Sequence, residues 1–170
     1  MMATLNSTAF VAQAEIDTPL GPLTALATER GLAGLWFDVQ KHHPGVLDTP
    51  VDAAHPHIAA TRAWLAAYWA GRDTRTIGLA LDPQGTPFQH KVWQALLKIR
   101  HGHTSTYGEI AAQAGRPEAA RAAGAAIGRN PISIIVPCHR VIGRDGSLTG
   151  YAGGLQRKQA LLKLEGVLLA

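Results

Sequence analysis

Cys138, His139 and Arg140 stand together in IIVPCHRVIGRDG, residues 134–146, and Cys138 is the only cysteine of the 170-residue chain. A thiol becomes a nucleophile when its thiolate is stabilised or when a nearby base removes its proton, and an imidazole next door supplies such a base. Neighbouring side chains in an extended segment point to opposite sides, so His139 reaches the thiol, directly or through one water, only if PCHR turns. A carboxylate is then needed to orient the imidazole and stabilise its charged form. Asp145 and Glu165 are the acids nearby, and Glu165 closes the helical run QRKQALLKLE. The competing reading is packing, because a single intracellular cysteine often serves as a small buried hydrophobe. Metal chemistry has little support: one cysteine makes no CxxC pair, and His42, His43, His55 and His57 lie in or beside a loop, so no metal site is expected.

The elements that would position this chemistry divide in two. Over residues 10–37 the runs FVAQAEI, LTALAT and LAGLWF, punctuated by TPLGP and ERG, predict a meander of antiparallel strands. Residues 38–54 carry prolines, a glycine and no periodicity, which predicts a loop. HIAATRAWLAAYWAGR places Trp64, Leu65, Tyr68 and Trp69 on a helical stripe ending at Gly71, and IGLALD reads as one more strand. The texture changes at TPFQHKVWQALLKI. There Thr86 suits an N-cap, Pro87 the first helical position, and Phe88, Val92, Trp93, Leu96 and Leu97 one buried face. The boundary between lobes falls near Asp82–Gly85, giving 1–84 and 85–170.

Two short helices follow, YGEIAAQAG and PEAARAAGAAIG, joined by a turn at Gly115–Pro117. Such a pair suits a helix-turn-helix and equally suits tight helix packing. The second helix is unusual for a major-groove reader, since its alanines cannot hydrogen-bond base edges. It suits a shallow groove probed by Arg121, the one long side chain. Beyond the cysteine, RDGSLTGYAGG is polar and glycine-rich, and can approach a flat ligand closely.

RAAGAAIGRNP, IIVPCHRVIG and GSLTGYAGGLQRKQALLKLEG together closely resemble the O6-alkylguanine-DNA alkyltransferases, from about Phe88 to Gly166, with PCHRVIG the most specific segment. The resemblance implies direct repair: irreversible, stoichiometric transfer of an alkyl group from O6-alkylguanine, with O4-methylthymine a further possible substrate, to Cys138 after the nucleotide is flipped from duplex DNA. It implies an α/β (α+β) fold, with a small RNase H-like N-terminal lobe built on an antiparallel sheet and a mainly helical C-terminal lobe carrying the helix-turn-helix. By the same resemblance Cys138 is the nucleophile, His139 the base acting through a water, and Glu165 the carboxylate completing the relay. Asn130 braces the active-site turn, and Tyr107 crowds the target phosphate and donates toward the base. Arg121 fills the gap left by the extruded nucleotide. Ala120, Ala122, Ala123, Gly124 and Arg140 are expected at DNA. Val141, Tyr151, Ala152, Gly153 and Lys158, with Tyr107, are expected around the substrate. No metal or organic cofactor is implied, and the protein is expected to act as a cytoplasmic monomer on double-stranded DNA.

Composition sets the outer bounds. With 46% hydrophobic and 16% charged residues the chain is not a disordered one, and no apolar run approaches the roughly 20 residues that span a bilayer. The start, MMATLNSTAFVAQAEID, lacks the pattern of a signal peptide. The formal charge is +4, and most of the 16 lysines and arginines fall from Lys91 onward. Two other functions stay open on the residues alone: a lesion-binding protein with an inert cysteine, and a Cys-His hydrolase that ignores DNA.

Overall fold

The computed structural model describes residues 10–167, so the reading of the first nine residues as free of a signal peptide lies outside it. The three predicted strands form as read. β1 (Phe10–Ile16), β2 (Leu23–Thr28) and β3 (Leu32–Phe37) pair in the order β1-β2-β3, each antiparallel to the next. Threonines shape both turns. Thr18 Oγ1 accepts from Leu20 N and donates to Gly21 O at 2.6 Å, while Thr28 Oγ1 accepts from Arg30 N and Gly31 N and donates to Asp82 Oδ2 at 2.6 Å. Gly31 is required there by proximity: a Cβ would stand 2.7 Å from Ala80 O. The loop after β3 is tied back by Gln13, whose Nε2 donates to Leu47 O and Thr49 O.

The expected strand IGLALD does not form. Its start is taken up by a turn in which Ile77 N bonds Thr74 O, and Pro83 beyond its end has no N–H to give a ladder. Only Leu81 bridges to Leu32. Helix α1 (Pro56–Trp69) is capped by His55, with Pro56 at its first position. Ile58, Thr61, Leu65, Ala67 and Tyr68 are its buried residues; Trp64 and Trp69 are half-buried, with the Trp64 ring stacked on Tyr68 at 5.4 Å.

The chain separates into two compact units between Gln84 and Gly85, except that residues 40–42 group with the second. That second unit begins with α2 (Pro87–Leu97). Thr86 Oγ1 accepts from Gln89 N, and Gln89 Oε1 accepts from Thr86 N, a reciprocal cap that satisfies two otherwise orphaned donors. Val92, Trp93, Ala95 and Leu96 are buried, whereas Phe88 is half-buried and Leu97 is exposed, so the apolar face is narrower than the sequence suggests. Arg116 covers the Phe88 ring, 5.5 Å from its centroid.

Strand β4 (Ser105–Thr106) leads directly into α3 (Tyr107–Gln113), and a second reciprocal cap, Thr106 with Glu109, fixes that start. Ser105 Oγ also donates to Glu109 Oε2 at 2.8 Å. The turn at Gly115 (φ 86°) is as expected, but α4 spans Ala120–Gly128 and leaves Pro117 and Glu118 in the turn. The alanines of α4 serve the tight helix packing that the sequence left open. Ala123, Ala126 and Ile127 are buried, letting α4 come close enough for Trp93 Nε1 to donate to Ala126 O at 3.0 Å. Arg121, Ala122 and Ala125 are exposed on another face. A long segment then leads to β5 (Val141–Ile142), parallel to β4, and the chain closes with α5 (Leu155–Leu164).

The Thr106 cap fixes the start of α3, so its loss should destabilise that helix. Thr106→Ala is expected to lower unfolding stability by about 1 kcal/mol, read as a shift in urea midpoint at unchanged slope.

Candidate active site

Asn130, two residues beyond α4, organises the segment that carries the cysteine. It is buried, with Oδ1 accepting from Ile132 N at 3.0 Å. Its Nδ2 faces three acceptors: Ile132 O at 3.2 Å, Val136 O at 2.8 Å and Cys138 Sγ at 3.2 Å. One amide thus satisfies backbone groups that a tight buried turn would otherwise leave without partners. The tightness shows at Ile134, a β-branched residue at φ 72° and fully buried. Left-handed backbone at such a residue costs on the order of 1–3 kcal/mol and persists only where its surroundings enforce it.

Residues Cys138–Arg140 make one 3-10 turn, which removes the opposite-sides constraint of an extended chain. All three side chains are buried. Glu165, at the C-terminal cap of α5, joins two of them: its Oε2 lies 2.6 Å from His139 Nε2, and its Oε1 accepts from Arg140 Nε at 2.6 Å. Arg140 Nη1 also donates to Ile99 O at 2.7 Å. With a carboxylate on Nε2, that nitrogen carries the imidazole proton and Nδ1 is left with its lone pair, buried and without a protein partner.

The electrostatics follow from burial. Burial pushes the Cys138 thiol above its ordinary range, against the Asn130 hydrogen bond and the Lys158 charge, so the resting group is a thiol. Burial lowers His139, outweighing the opposing pull of Glu165, so its imidazole is neutral and able to accept a proton. For Glu165 burial acts upward, but hydrogen bonds from His139 and Arg140 and the Arg140 charge prevail and hold the carboxyl far below the carboxylate range. We take Arg140, a permanent cation, as the group that keeps this carboxylate charged beside a neutral imidazole.

Around this chain lie the other residues singled out by sequence. Lys158 is buried, its Nζ donating to Val141 O at 2.6 Å and Thr149 O at 3.1 Å, and burial lowers its pKa to about 8. Tyr151 sets its ring edge-on to His139, centroids 6.5 Å apart. The Tyr151 hydroxyl is buried without a well-formed hydrogen bond, although Ser133 is a polar neighbour, and burial raises its pKa well above 10. Ala152 O accepts from Lys41 N at 3.0 Å, and Ser133 Oγ donates to Gln40 Oε1 at 3.4 Å, which is how residues 40–42 come to belong to this unit. Val141 and Gly153 are buried beside these groups. Tyr107 Oη meets Thr149 Oγ1 at 2.5 Å, and the Tyr107 ring lies 3.5 Å from where a Cβ on Gly124 would stand.

Two expectations need correction. Arg140 does not face DNA: it is buried and committed to Glu165 and the Ile99 carbonyl. Ala123 is fully buried, because α4 packs on that side, and only Arg121 and Ala122 of the expected DNA residues are well exposed, with Ala120 and Gly124 half-buried. Sequence reading missed Thr149, Ile99, Gln40 and Lys41. Two of these act through backbone groups that carry no side-chain signal, and Thr149 lies in a polar, glycine-rich loop with no signal of its own. Among the described residues no three His, Cys, Asp or Glu side chains gather as metal ligands would.

The family model of the 6-O-methylguanine DNA methyltransferase DNA-binding domain matches residues 87–167, the stretch that holds every group just described except the 40–42 segment. A methylated-DNA–protein-cysteine methyltransferase of Methanosarcina acetivorans is 49% identical over 150 residues, covering 88% of this chain and 95% of its own. The chain belongs to the methylated-DNA–protein-cysteine methyltransferase family. A family member from Salmonella typhimurium is 48% identical over 167 residues, covering 91% of this chain and 95% of its own. Among solved members, Mycobacterium tuberculosis OGT in complex with DNA matches with a TM-score of 0.80 and 49% identity, over 91% of this chain and 92% of that one. The mixed α/β architecture expected from the sequence is the architecture of these methyltransferases.

His139 and Glu165 both set a pH dependence, and the signs agree. Each has a folded pKa below its ordinary value, so the unfolded chain takes up protons first as the pH falls. Stability should therefore decrease as the pH drops below the ordinary histidine value of 6.5, and further below the ordinary glutamate value of 4.5. Urea midpoints measured across that range test this, and a flat profile would contradict both assignments.

Proposed function

We propose that this protein repairs alkylated DNA directly, Cys138 taking the alkyl group from O6-alkylguanine in a duplex and keeping it. The observation that carries this reading is a buried thiol held by Asn130, followed in one turn by a histidine whose free Nδ1 is backed by a Glu165–Arg140 pair. A thiol raised by burial is a poor nucleophile until its proton is removed, so the relay has a task that a packing cysteine would not need.

In this reading the thiol proton passes through a water to His139 Nδ1, and Glu165 stabilises the imidazolium while Arg140 keeps Glu165 ionised. Sulfur attacks the alkyl carbon; an S–C bond forms, and the C–O bond to guanine breaks with its electron pair on oxygen. Guanine takes up a proton, assisted by hydrogen bonding from Tyr107, and His139 returns its own to solvent. The net change exchanges the thiol hydrogen for the alkyl group. The thioether carries no activated leaving group that water or a thiol could displace, so in this reading each chain acts once.

The target must first leave the base stack, at a cost of a few kcal/mol. Arg121, exposed on α4, offsets part of that by occupying the gap, and the small residues Ala120, Ala122 and Gly124 let the helix lie against a groove. Val141, Tyr151, Ala152 and Gly153 wall the extruded base, with Lys158 bracing that wall. Residues 85–170 carry eleven lysines and arginines against four acids, the balance expected of a DNA-binding lobe, and we assign residues 1–84 to a separate N-terminal lobe. Among the described residues no helix is long and apolar enough to cross a membrane, and we place the protein in the cytoplasm as a monomer.

Incubation with a duplex bearing one O6-methylguanine, followed by intact-mass spectrometry and peptide mapping, tests the reading. One methyl group per chain, on Cys138, is expected, and none on unmodified duplex. Cys138→Ala should bind the lesion and transfer nothing. His139→Gln should slow transfer at saturating duplex by about 100-fold or more. Lesion binding with no mass change in the reduced wild-type protein would replace repair by recognition alone.

A further inference from the structure

Thr149 is a residue that neither the motif nor the relay accounts for, yet it joins three parts of the site. Its hydroxyl meets Tyr107 Oη at 2.5 Å, at the start of α3. Its carbonyl accepts from Lys158 Nζ at 3.1 Å, and that same ammonium holds Val141 O next to the Cys138–Arg140 turn. On another side the Tyr107 ring passes Gly124 of α4, where an added Cβ would make ordinary contact at 3.5 Å. Thr149 supplies the hydroxyl that the phenol oxygen meets.

A phenol has one proton to give. If Tyr107 donates to Thr149, that proton is unavailable to a base. If Thr149 donates to Tyr107, the phenol oxygen has an acceptor site filled, its proton points elsewhere, and its donor strength rises, because hydrogen bonds in a chain polarise one another. Thr149 has the hydrogen to do this, and its backbone is held in place through Lys158.

We infer that Thr149 is a positioning residue for alkyl transfer, donating its hydroxyl hydrogen to Tyr107 Oη and so turning the Tyr107 proton toward the extruded base. The inference rests on the repair reading and assigns it one further residue. Thr149 touches no reacting atom and acts only through Tyr107.

The test is single-turnover methyl transfer from O6-methylguanine duplex, with the rate at saturation and the duplex Kd measured separately. Thr149→Val keeps the shape and deletes the hydroxyl; it should slow the saturating rate about tenfold and leave Kd unchanged. Thr149→Ser should restore the rate. In a Tyr107→Phe background, Thr149→Val should cause no additional slowing, because the group it acts through is gone. Should Thr149→Val fail to fold, judged by its thermal transition, Thr149→Ala is the second deletion and Thr149→Ser its rescue. Transfer by Thr149→Val at the wild-type rate, failure of serine to rescue, or an equal loss in the Tyr107→Phe background would each overturn the inference. Wild-type protein in the same series keeps the two readings apart: if it transfers no methyl to Cys138, the repair reading has failed, and not only the role of Thr149.

Discussion

A carboxylate sealed inside a protein needs charged company, and Glu165 dictates much of what surrounds it. Taking one such ion out of water costs several kcal/mol even after relaxation, and the loss is recovered only if both oxygens find good partners. Here one oxygen has His139 and the other Arg140. That requirement fixes where α5 must end, since Glu165 caps it, and why Arg140 is inside although arginine is ordinarily a surface residue. It also draws in the end of α2, because the remaining donors of Arg140 need acceptors and the Ile99 carbonyl supplies one. One permanent cation thereby keeps a buried anion stable beside a neutral imidazole.

The other organising device is uncharged. Asn130 holds a buried turn that includes a β-branched residue in left-handed backbone, and the same amide nitrogen reaches the cysteine sulfur. The strain at Ile134 and the placement of Cys138 are thus two ends of one hydrogen-bonded unit. An alanine at 130 would leave the Ile132 amide, the Val136 carbonyl and the thiol without these partners at once. Supporting both devices, the parallel pairing of β4 with β5 brings Tyr107, 31 residues earlier in the chain, alongside the cysteine segment.

What the sequence disclosed depended on whether a signal was local. The three strands, the Thr86 cap and the Gly115 turn were legible because turn residues, capping residues and alternation act over a few positions. IGLALD misled because its composition suits a strand while Pro83 and the lack of a continuous partner deny it one. Arg140 misled because a basic residue near a DNA-binding motif is read as a phosphate contact, and nothing in its own neighbourhood announces Glu165, 25 positions away. Cys138, His139 and Glu165 were named through the specificity of PCHRVIG and LEG, since spacing alone could not choose between Asp145 and Glu165. Thr149 was beyond reach: a threonine among glycines has no signature until the fold sets a phenol against it.

The burial of Cys138 has a bearing on the protein's life between encounters with DNA. An acceptor that works once is lost to any electrophile or oxidant that reaches its sulfur. Such reagents react with thiolates. In the folded chain Cys138 is buried, carries its proton and has its sulfur against the Asn130 amide. The same enclosure that raises the thiol thus also limits which reagents can reach it.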